Sequence, residues 1–401
     1  MMRPLLFWLL FALFAEATTL RQLIDSALAK HPSLQAIEER IAASDYALKR
    51  AKNFDNPLLG LSVNNLRLDD FTNRSLEPMQ TQAVTITQKF PWFGKRDAKE
   101  AIEAAKKAML FATKEAAEAV LVSRIRQTAY DLWKIDRLID LTKKTMALTR
   151  QNVDLYEAYT ASGESGKAHM GIMSAELVLT RLRVTLAKLR AERSKRLALL
   201  SYLAFQKIDD LRIDLPQKAL PSLDRLIKRI DRSPDLQTRI AQKAIVDKRL
   251  AFDKLRTAID PVVKVGYYHR ESYEDYLSVG VGFALPIYGT ERSIVEERRA
   301  RLLARQSEVI DTRQKLLAEL EKLHAKARSA SEVARLIEKE SLPKIDHMFD
   351  LIRSDIAAGG DLYKFVDLVE QKLNLQAQMI EAKADYYRTV AQIDATLGEK
   401  R

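Results

Sequence analysis

Cysteine is absent from the 401 residues, which removes disulfide frameworks, cysteine-ligated metal sites, thiol nucleophiles and any lipid-modified N-terminal cysteine. Turn formers are scarce. The 12 glycines and 11 prolines fall well below the usage of a turn-rich globular fold, so regular structure must run for long stretches between few turns. Aromatic residues make up only 7%, while 47% of the chain is hydrophobic and 30% charged, a balance that excludes disorder and points to helix. Catalytic signatures are missing as well: there is no Gly-x-Ser-x-Gly, no phosphate loop and no His-Glu-x-x-His. The acids sit on charged helix surfaces with basic neighbours, so no nucleophile or general base stands out, and neither an enzyme nor a cofactor is expected.

The net charge is +12. Its surplus is spread along the helical stretches rather than clustered, which describes a solvated face whose sign aids docking to acidic partners or lipopolysaccharide. A basic coiled-coil protein that binds nucleic acid is one reading of such a charge. The N-terminus argues against it. Residues 1–17 carry Arg3, an apolar run from Leu5 to Phe14 and the small-x-small site Ala15-Glu16-Ala17, the pattern of a secretory leader. The apolar run is about half the roughly 20 residues needed to span a bilayer. No later segment approaches that length, so if residues 18–401 enter a membrane they must do so through strands.

From there the chain is written twice, about 18–205 and about 222–398. His31-Pro32-Ser33-Leu34 is matched by Ser233-Pro234-Asp235-Leu236, each opening an Ala-rich helical run with proline at its start. These helices stop at Asn56-Pro57 and Asp260-Pro261, where the period changes from near 3.6 to 2. Strand pairs follow, about 57–90 and 261–286. Leu59, Leu61 and Val63 alternate with small or polar residues, as do Val84, Ile86, Gln88 and Phe90, then Val263, Val265 and Tyr267, then Leu277, Val279, Val281, Phe283 and Leu285. One face is apolar and the other small or polar, a pattern shared by a soluble antiparallel sheet over a core and by a membrane barrel.

The exits also match: Phe90-Pro91-Trp92-Phe93-Gly94 corresponds to Leu285-Pro286-Ile287-Tyr288-Gly289. Helical hairpins follow, about 95–205 and 290–398. No glycine falls between Lys95 and Thr160 or between Thr290 and Ala358, and Pro343 is the one proline; it should kink the second helix. At 1.5 Å per residue each long helix would extend about 100 Å. Heptad steps run through Leu132, Ile135, Ile139, Thr142, Met146, Thr149, Val153 and Tyr156, and through Leu316, Leu320, Leu323, Ala327, Ala330, Ala334 and Ile337, predicting coiled-coil seams rich in small residues. Glycine turns, Gly163-Glu164-Ser165-Gly166 and Gly359-Gly360-Asp361, precede return helices from Lys167 to Phe205 and from Leu362 to Leu397. Four strands are too few to close a barrel, so a membrane location requires several chains to share one.

In these features the chain resembles the TolC-like outer membrane efflux protein family over essentially all of residues 18–401. The resemblance rests on the duplicated layout, the Pro-x-Leu helix openings at Pro32 and Pro234, the run Gln88-Lys89-Phe90-Pro91-Trp92-Phe93-Gly94-Lys95-Arg96, and the glycine tips. That run is most similar to the heavy-metal efflux branch. The resemblance implies a mainly α fold with a small β part: a homotrimer with a 12-strand barrel in outer membrane lipid and a helical tunnel across the periplasm. A periplasmic adaptor (membrane fusion) protein and an inner-membrane pump of the resistance-nodulation-division type or similar would complete the system. It also implies that the tips Gly163, Glu164, Gly166, Gly359, Gly360 and Asp361 dock the adaptor. Trp92 and Phe93 would sit at an aromatic belt, with Lys95 and Arg96 opening the helix.

The family closes its periplasmic end with acids just after the second tip, and Asp367 and Glu370, one helical turn apart on one face, fit that pattern. Threefold symmetry would make each a carboxylate ring that favours cations. Read without the resemblance, they are two solvated acids on an exposed face. Gly171 and Ser174 stand at the aligned first-half positions. Nearby, His169, Met170 and Met173 offer soft donors that suit Cu(I) or Ag(I), though methionine more often fills gaps in packing. His31, His269, His324 and His347 show no site spacing. Two alternatives stay open: the duct of a drug efflux or type I protein secretion system, and a periplasmic coiled-coil adaptor protein, which would carry one hairpin between β-rich flanks rather than two hairpins and four strands.

Overall fold

A computed structural model describes residues 18–75, 77–160, 167–216, 219–357 and 362–400. The leader and the two glycine tips therefore lie outside the described residues. The elements are β1 (Thr18–Thr19), α1 (Leu20–Lys30), α2 (Pro32–Lys52), β2 (Leu58–Asn64), β3 (Thr81–Lys89), α3 (Lys95–Thr160), α4 (Lys167–Ala204), β4 (Leu211–Arg212), α5 (Leu223–Ile227), α6 (Pro234–Lys254), β5 (Val262–His269), β6 (Tyr276–Gly282), α7 (Thr290–Leu336), α8 (Leu342–Ala357) and α9 (Leu362–Thr396). The order repeats: a helix, a strand hairpin, a long helix and a return helix, twice. None of the helices is long and apolar enough to cross a membrane among the described residues.

Packing divides the described chain into two units, each drawing corresponding pieces from both repeats. One comprises residues up to Leu34, Ala117–Ile230 and Leu317–Arg401; the other comprises Gln35–Ala116 and Asp231–Leu316. The first unit is helical apart from a parallel pairing of Thr18–Thr19 with Leu211–Arg212. Its largest core joins Leu23 and Ala27 of α1, Val122, Ile125 and Leu132 of α3, and Leu200 and Leu203 of α4. The seams are where the heptad steps put them. Leu132, Ile135, Ile139, Thr142, Thr149 and Val153 are buried, as are Leu320, Leu323, Ala327, Ala334 and Ile337, while Met146, Leu316 and Ala330 are half-buried. The Tyr156 side chain is outside the described set. The buried threonines are satisfied within their own helix: Thr142, Thr145 and Thr149 donate to the carbonyls of Leu138, Leu141 and Thr145 at 2.7, 3.0 and 2.9 Å. That local bond lets a polar residue occupy a seam without an orphaned hydroxyl.

Pro343 acts one turn earlier than a simple kink requires. The α-helix gives way to a five-residue π segment, Ile337–Ser341, and the Leu342 N–H bonds to the Ile337 carbonyl. Widening this turn accommodates the missing proline N–H and the crowding of its ring against the preceding turn.

The second unit contains an antiparallel sheet in the order β2-β3-β5-β6. Register places Leu58 opposite Thr87, Gln82 opposite His269, and Val262 opposite Gly282. Glycines sit where strands crowd: a Cβ on Gly266 would come within 2.7 Å of the Tyr268 ring and 3.0 Å of Thr85 Cγ2. Strand β6 ends at Gly282, although the alternation runs on to Leu285. Its partner β5 begins at Val262, so Phe283 to Leu285 have no strand beside them among the described residues.

Candidate functional site

The sheet face is the first functional feature. Register puts Leu59, Leu61, Val63, Val84, Ile86, Val265, Tyr267, Leu277, Val279 and Val281 on one side, and all ten are between 39% and 76% exposed. The opposite side carries Gly60, Ser62, Thr85, Thr87, Gly266, Ser278 and Gly280. A soluble sheet covers its apolar face with a second layer. Here that layer is absent among the described residues, and both edge strands, β2 and β6, are unpaired on their outer sides. Burying one such side chain is worth about 1.5 kcal/mol, so ten of them represent a sum comparable with the whole net stability of a domain, about 5–15 kcal/mol.

Two conformational constraints shape the corner from Phe90 to Arg96. Phe93 and Gly94 take φ of 53° and 74° in succession, and Gly289 repeats the glycine conformation at 77°. Trp92 and Phe93 are exposed and close, with ring centroids 5.8 Å apart. Lys95 is the surprise. A lysine in a first helical turn opposes the helix dipole, yet its buried Nζ donates to Asp260 Oδ1 at 2.7 Å and to the Ala258 carbonyl at 2.6 Å. Asp260 also accepts from the Trp92 N–H at 3.1 Å. Partial burial of Asp260 opposes its ionisation, but the Lys95 and Trp92 hydrogen bonds and the charges of Lys95 and Lys89 outweigh it, leaving the carboxyl below its ordinary range. Arg96 lies 3.9 Å from the Phe54 ring centroid and donates to the Lys52 carbonyl at 3.3 Å, while Phe54 meets Phe90 edge to face at 5.9 Å. Sequence reading marked this run as a turn and missed Asp260 and Phe54, whose partnership spans a large sequence separation and leaves no periodic signal.

At the far hairpin, Asp275 accepts from the Tyr267 hydroxyl, from the Arg270 N–H at 2.9 Å and from the His269 ring at 3.0 Å. Those bonds, Tyr267 first, hold its carboxyl at about 2. His269, unassigned by its spacing, is thus part of a hairpin clasp.

Asp367 and Glu370 lie in the first unit, on the first turns of α9. Phe365, Val366, Leu368 and Val369 turn inward against Val153 of α3, Ala175, Val178 and Leu182 of α4 and Ile345 and Phe349 of α8. Phe349 and Phe365 meet at 5.1 Å, and Lys372 pairs with Asp346 at 2.7 Å. That inward set leaves Asp367 exposed and Glu370 half-buried on the other side of the helix. Asp367 accepts from Gln371 at 2.8 Å, and Glu370 faces Arg181 of α4 at 3.5 Å, a partner the sequence did not disclose. Gly171, at the first-half position, is buried, and Ser174 is half-buried. Met170 and Met173 are 74% and 57% exposed, so they do not fill gaps within this chain; the His169 side chain and the tips Gly163, Glu164, Gly166, Gly359, Gly360 and Asp361, where adaptor docking is expected, lie outside the described set. Among the described residues no group of three or more His, Asp or Glu is arranged to hold a metal ion.

No sequence-family model matches the chain, and no curated protein matches it in sequence. Solved structures do. CusC, whose crystal structures describe folding and transmembrane channel formation, is 13% identical with a TM-score of 0.79, covering 97% of this chain and 96% of that one. VceC, an outer membrane protein of Vibrio cholerae, is 16% identical with a TM-score of 0.78, covering 95% and 96%. MtrE, the outer membrane channel of Neisseria gonorrhoeae in an open state, is 14% identical with a TM-score of 0.78, covering 95% and 89%. The helical repeats, the four-stranded sheet and near-complete coverage together show that the chain has the fold of the TolC-like outer membrane efflux channels.

Proposed function

We propose that the protein is the passive exit duct of a tripartite efflux system in the outer membrane. Three copies would contribute four strands each to one barrel. The observation that carries this reading is the bare apolar sheet face with both edges open. In hydrocarbon the face is solvated by lipid and the edges must be paired, so copies of the chain and a bilayer supply what the single chain lacks. The duct catalyses nothing; an inner-membrane pump supplies the energy, and an adaptor docks at the two glycine tips. Asp367 and Glu370, repeated by threefold symmetry, would form carboxylate rings at the periplasmic aperture.

Heavy-metal cations or small toxic compounds are the proposed cargo. The Phe90 to Arg96 run supports the metal branch, and the solvent-facing Met170 and Met173 supply soft sulfur donors on α4. The test is the susceptibility of the source cell with this gene deleted, against copper, silver, cobalt, zinc and cadmium beside dyes, detergents and hydrophobic antibiotics. Selective metal sensitivity is expected. Sensitivity to drugs with normal metal tolerance would keep the duct and discard the metal cargo.

A further inference from the structure

The duplication fixes more than the layout of one chain. Landmarks inside the sheet unit pair the two repeats residue by residue: β2 and β5 both start one residue after a proline, Pro57 and Pro261, and the exits share left-handed glycines at Gly94 and Gly289. This correspondence can be checked within the chain. Carrying the observed hairpin pair Leu58–Thr87 across to the second repeat gives Val262–Gly282, which is the pair the second hairpin makes. The two hairpins therefore share one register.

The same correspondence can be applied to the junction between hairpins. Within the chain that junction is β3–β5, where Val84 faces Tyr267, Ile86 faces Val265 and Gln88 faces Val263, and the Phe90 N–H extends the ladder to the Pro261 carbonyl at 2.9 Å. We infer that β6 of one copy pairs with β2 of the next copy in the repeat-related register, so that Val279 faces Val63, Val281 faces Leu61 and Phe283 faces Leu59, with Ser278, Gly280 and Gly282 opposite Asn64, Ser62 and Gly60. This deepens the proposed duct and rests on that reading, because it needs several copies closing one sheet.

Three observations converge on it. The strands alternate in direction along β2-β3-β5-β6, so β2 of a second copy meets β6 antiparallel, as every other junction is. Face parity is satisfied: the register was derived from the prolines and the exits alone, yet it matches apolar to apolar and small to small, where a one-residue slip would invert every side chain. Crowding is respected too. The tight in-chain pair Thr85–Gly266 becomes Gly280–Ser62, again with one glycine, and a Cβ added at Gly280 or Gly282 now meets nothing within 4 Å, as befits an edge whose partner is another copy. The register also gives Phe283 and Ala284, which have no strand beside them among the described residues, Leu59 and Leu58 of the next copy as partners. Thr290 falls beside Asn56 of the next copy, where Lys95 lies beside Asp260 within the chain.

The cysteine-free chain makes a direct test possible. Two variants with directly facing cysteines, Ser62→Cys with Gly280→Cys and Leu61→Cys with Val281→Cys, are compared with two shifted pairs, Ser62→Cys with Ser278→Cys and Ser62→Cys with Gly282→Cys. Each is expressed in outer membranes, oxidised and run on non-reducing denaturing gels. A bond within one chain is excluded because β2 and β6 are opposite edges of a four-strand sheet, about 14 Å apart. Facing pairs are expected to give covalent dimers and trimers, and shifted pairs at least about fivefold less, because diagonal neighbours lie about 7–8 Å apart, beyond disulfide reach. Preferential linking of a shifted pair overturns the register while leaving the shared barrel. Absence of linking in all four, with the protein still oligomeric in the outer membrane, overturns the β6–β2 junction. Protein that is monomeric and outside the membrane overturns both this inference and the proposed duct.

Discussion

Backbone conformation and one ion pair govern the corner where the first hairpin becomes a helix. Gly94 has a φ of 74°, a region where a β-branched residue is strained by roughly 1–2 kcal/mol. Gly94→Val is therefore expected to lower the yield of assembled oligomer without changing what the assembled fraction conducts; normal yield with altered transport contradicts the structural role. The Lys95–Asp260 pair gives a second prediction. Truncating Lys95 to Met leaves Asp260 mostly buried without its nearer cation, at a cost of about 2 kcal/mol, below the range for fully buried pairs because Asp260 keeps some water contact and the more distant Lys89 at 3.6 Å. This is read as a lower midpoint for thermal dissociation in detergent. Because the Asp260 pKa is lowered on folding, its stabilisation is present above the ordinary carboxylate pKa of about 4 and is lost as pH falls through the lower folded value. The gap between wild type and Asp260→Asn should hold from about pH 7 to 5 and shrink below about pH 4. A gap that stays constant into acid would exclude ionised Asp260 as the source. The Gly94 requirement was legible in sequence because a strand-proline-aromatic-glycine-helix string has few backbone solutions. The Asp260 contact was not, since only the fold brings the two repeats side by side there.

Long helices carry their information in periodicity, which explains why the seams could be read directly. A 66-residue α3 repeats its pattern often enough for the buried set to stand out, and its threonines are tolerated because each hydroxyl returns to its own helix. Leu132 is fully buried beside α1 and α4, so Leu132→Ala is expected to cost about 2–5 kcal/mol, measured as a drop in chemical denaturation midpoint; a loss near zero would mean this seam is not packed. Helix α9 is only partly legible in this way. Its inward residues follow the same periodicity, but nothing in the pattern distinguishes acids that line a pore from acids that face bulk water. Replacing Asp367 by Asn and Glu370 by Gln should leave assembly intact and reduce cation preference in single-channel recordings, and Arg181→Gln, which removes the cation facing Glu370 at 3.5 Å, should increase it. Identical conductance and selectivity across all three would remove the gate from the account. The interruption before Pro343 was legible as a defect, yet its form as a π segment depends on how the surrounding helices hold that turn.

At the scale of the whole molecule, duplication was visible in sequence and what covers the apolar sheet face was not. Matching landmarks repeat in order, so the layout follows from comparing the chain with itself. Alternation in four strands specifies a two-faced sheet and stays silent on whether protein or lipid covers the apolar face; the exposed Leu61, Val279 and Val281, together with the unpaired edges, support the lipid reading proposed above. In the proposed duct this face belongs in a bilayer and these edges to other copies. This arrangement is tested most directly by extracting the protein from isolated outer membranes in mild detergent and measuring the mass of the protein part of the complex. A mass of three chains, recovered from the outer membrane fraction, is the expected result. A single chain recovered from the soluble periplasmic fraction would contradict the account, because a monomer in water would leave that face uncovered.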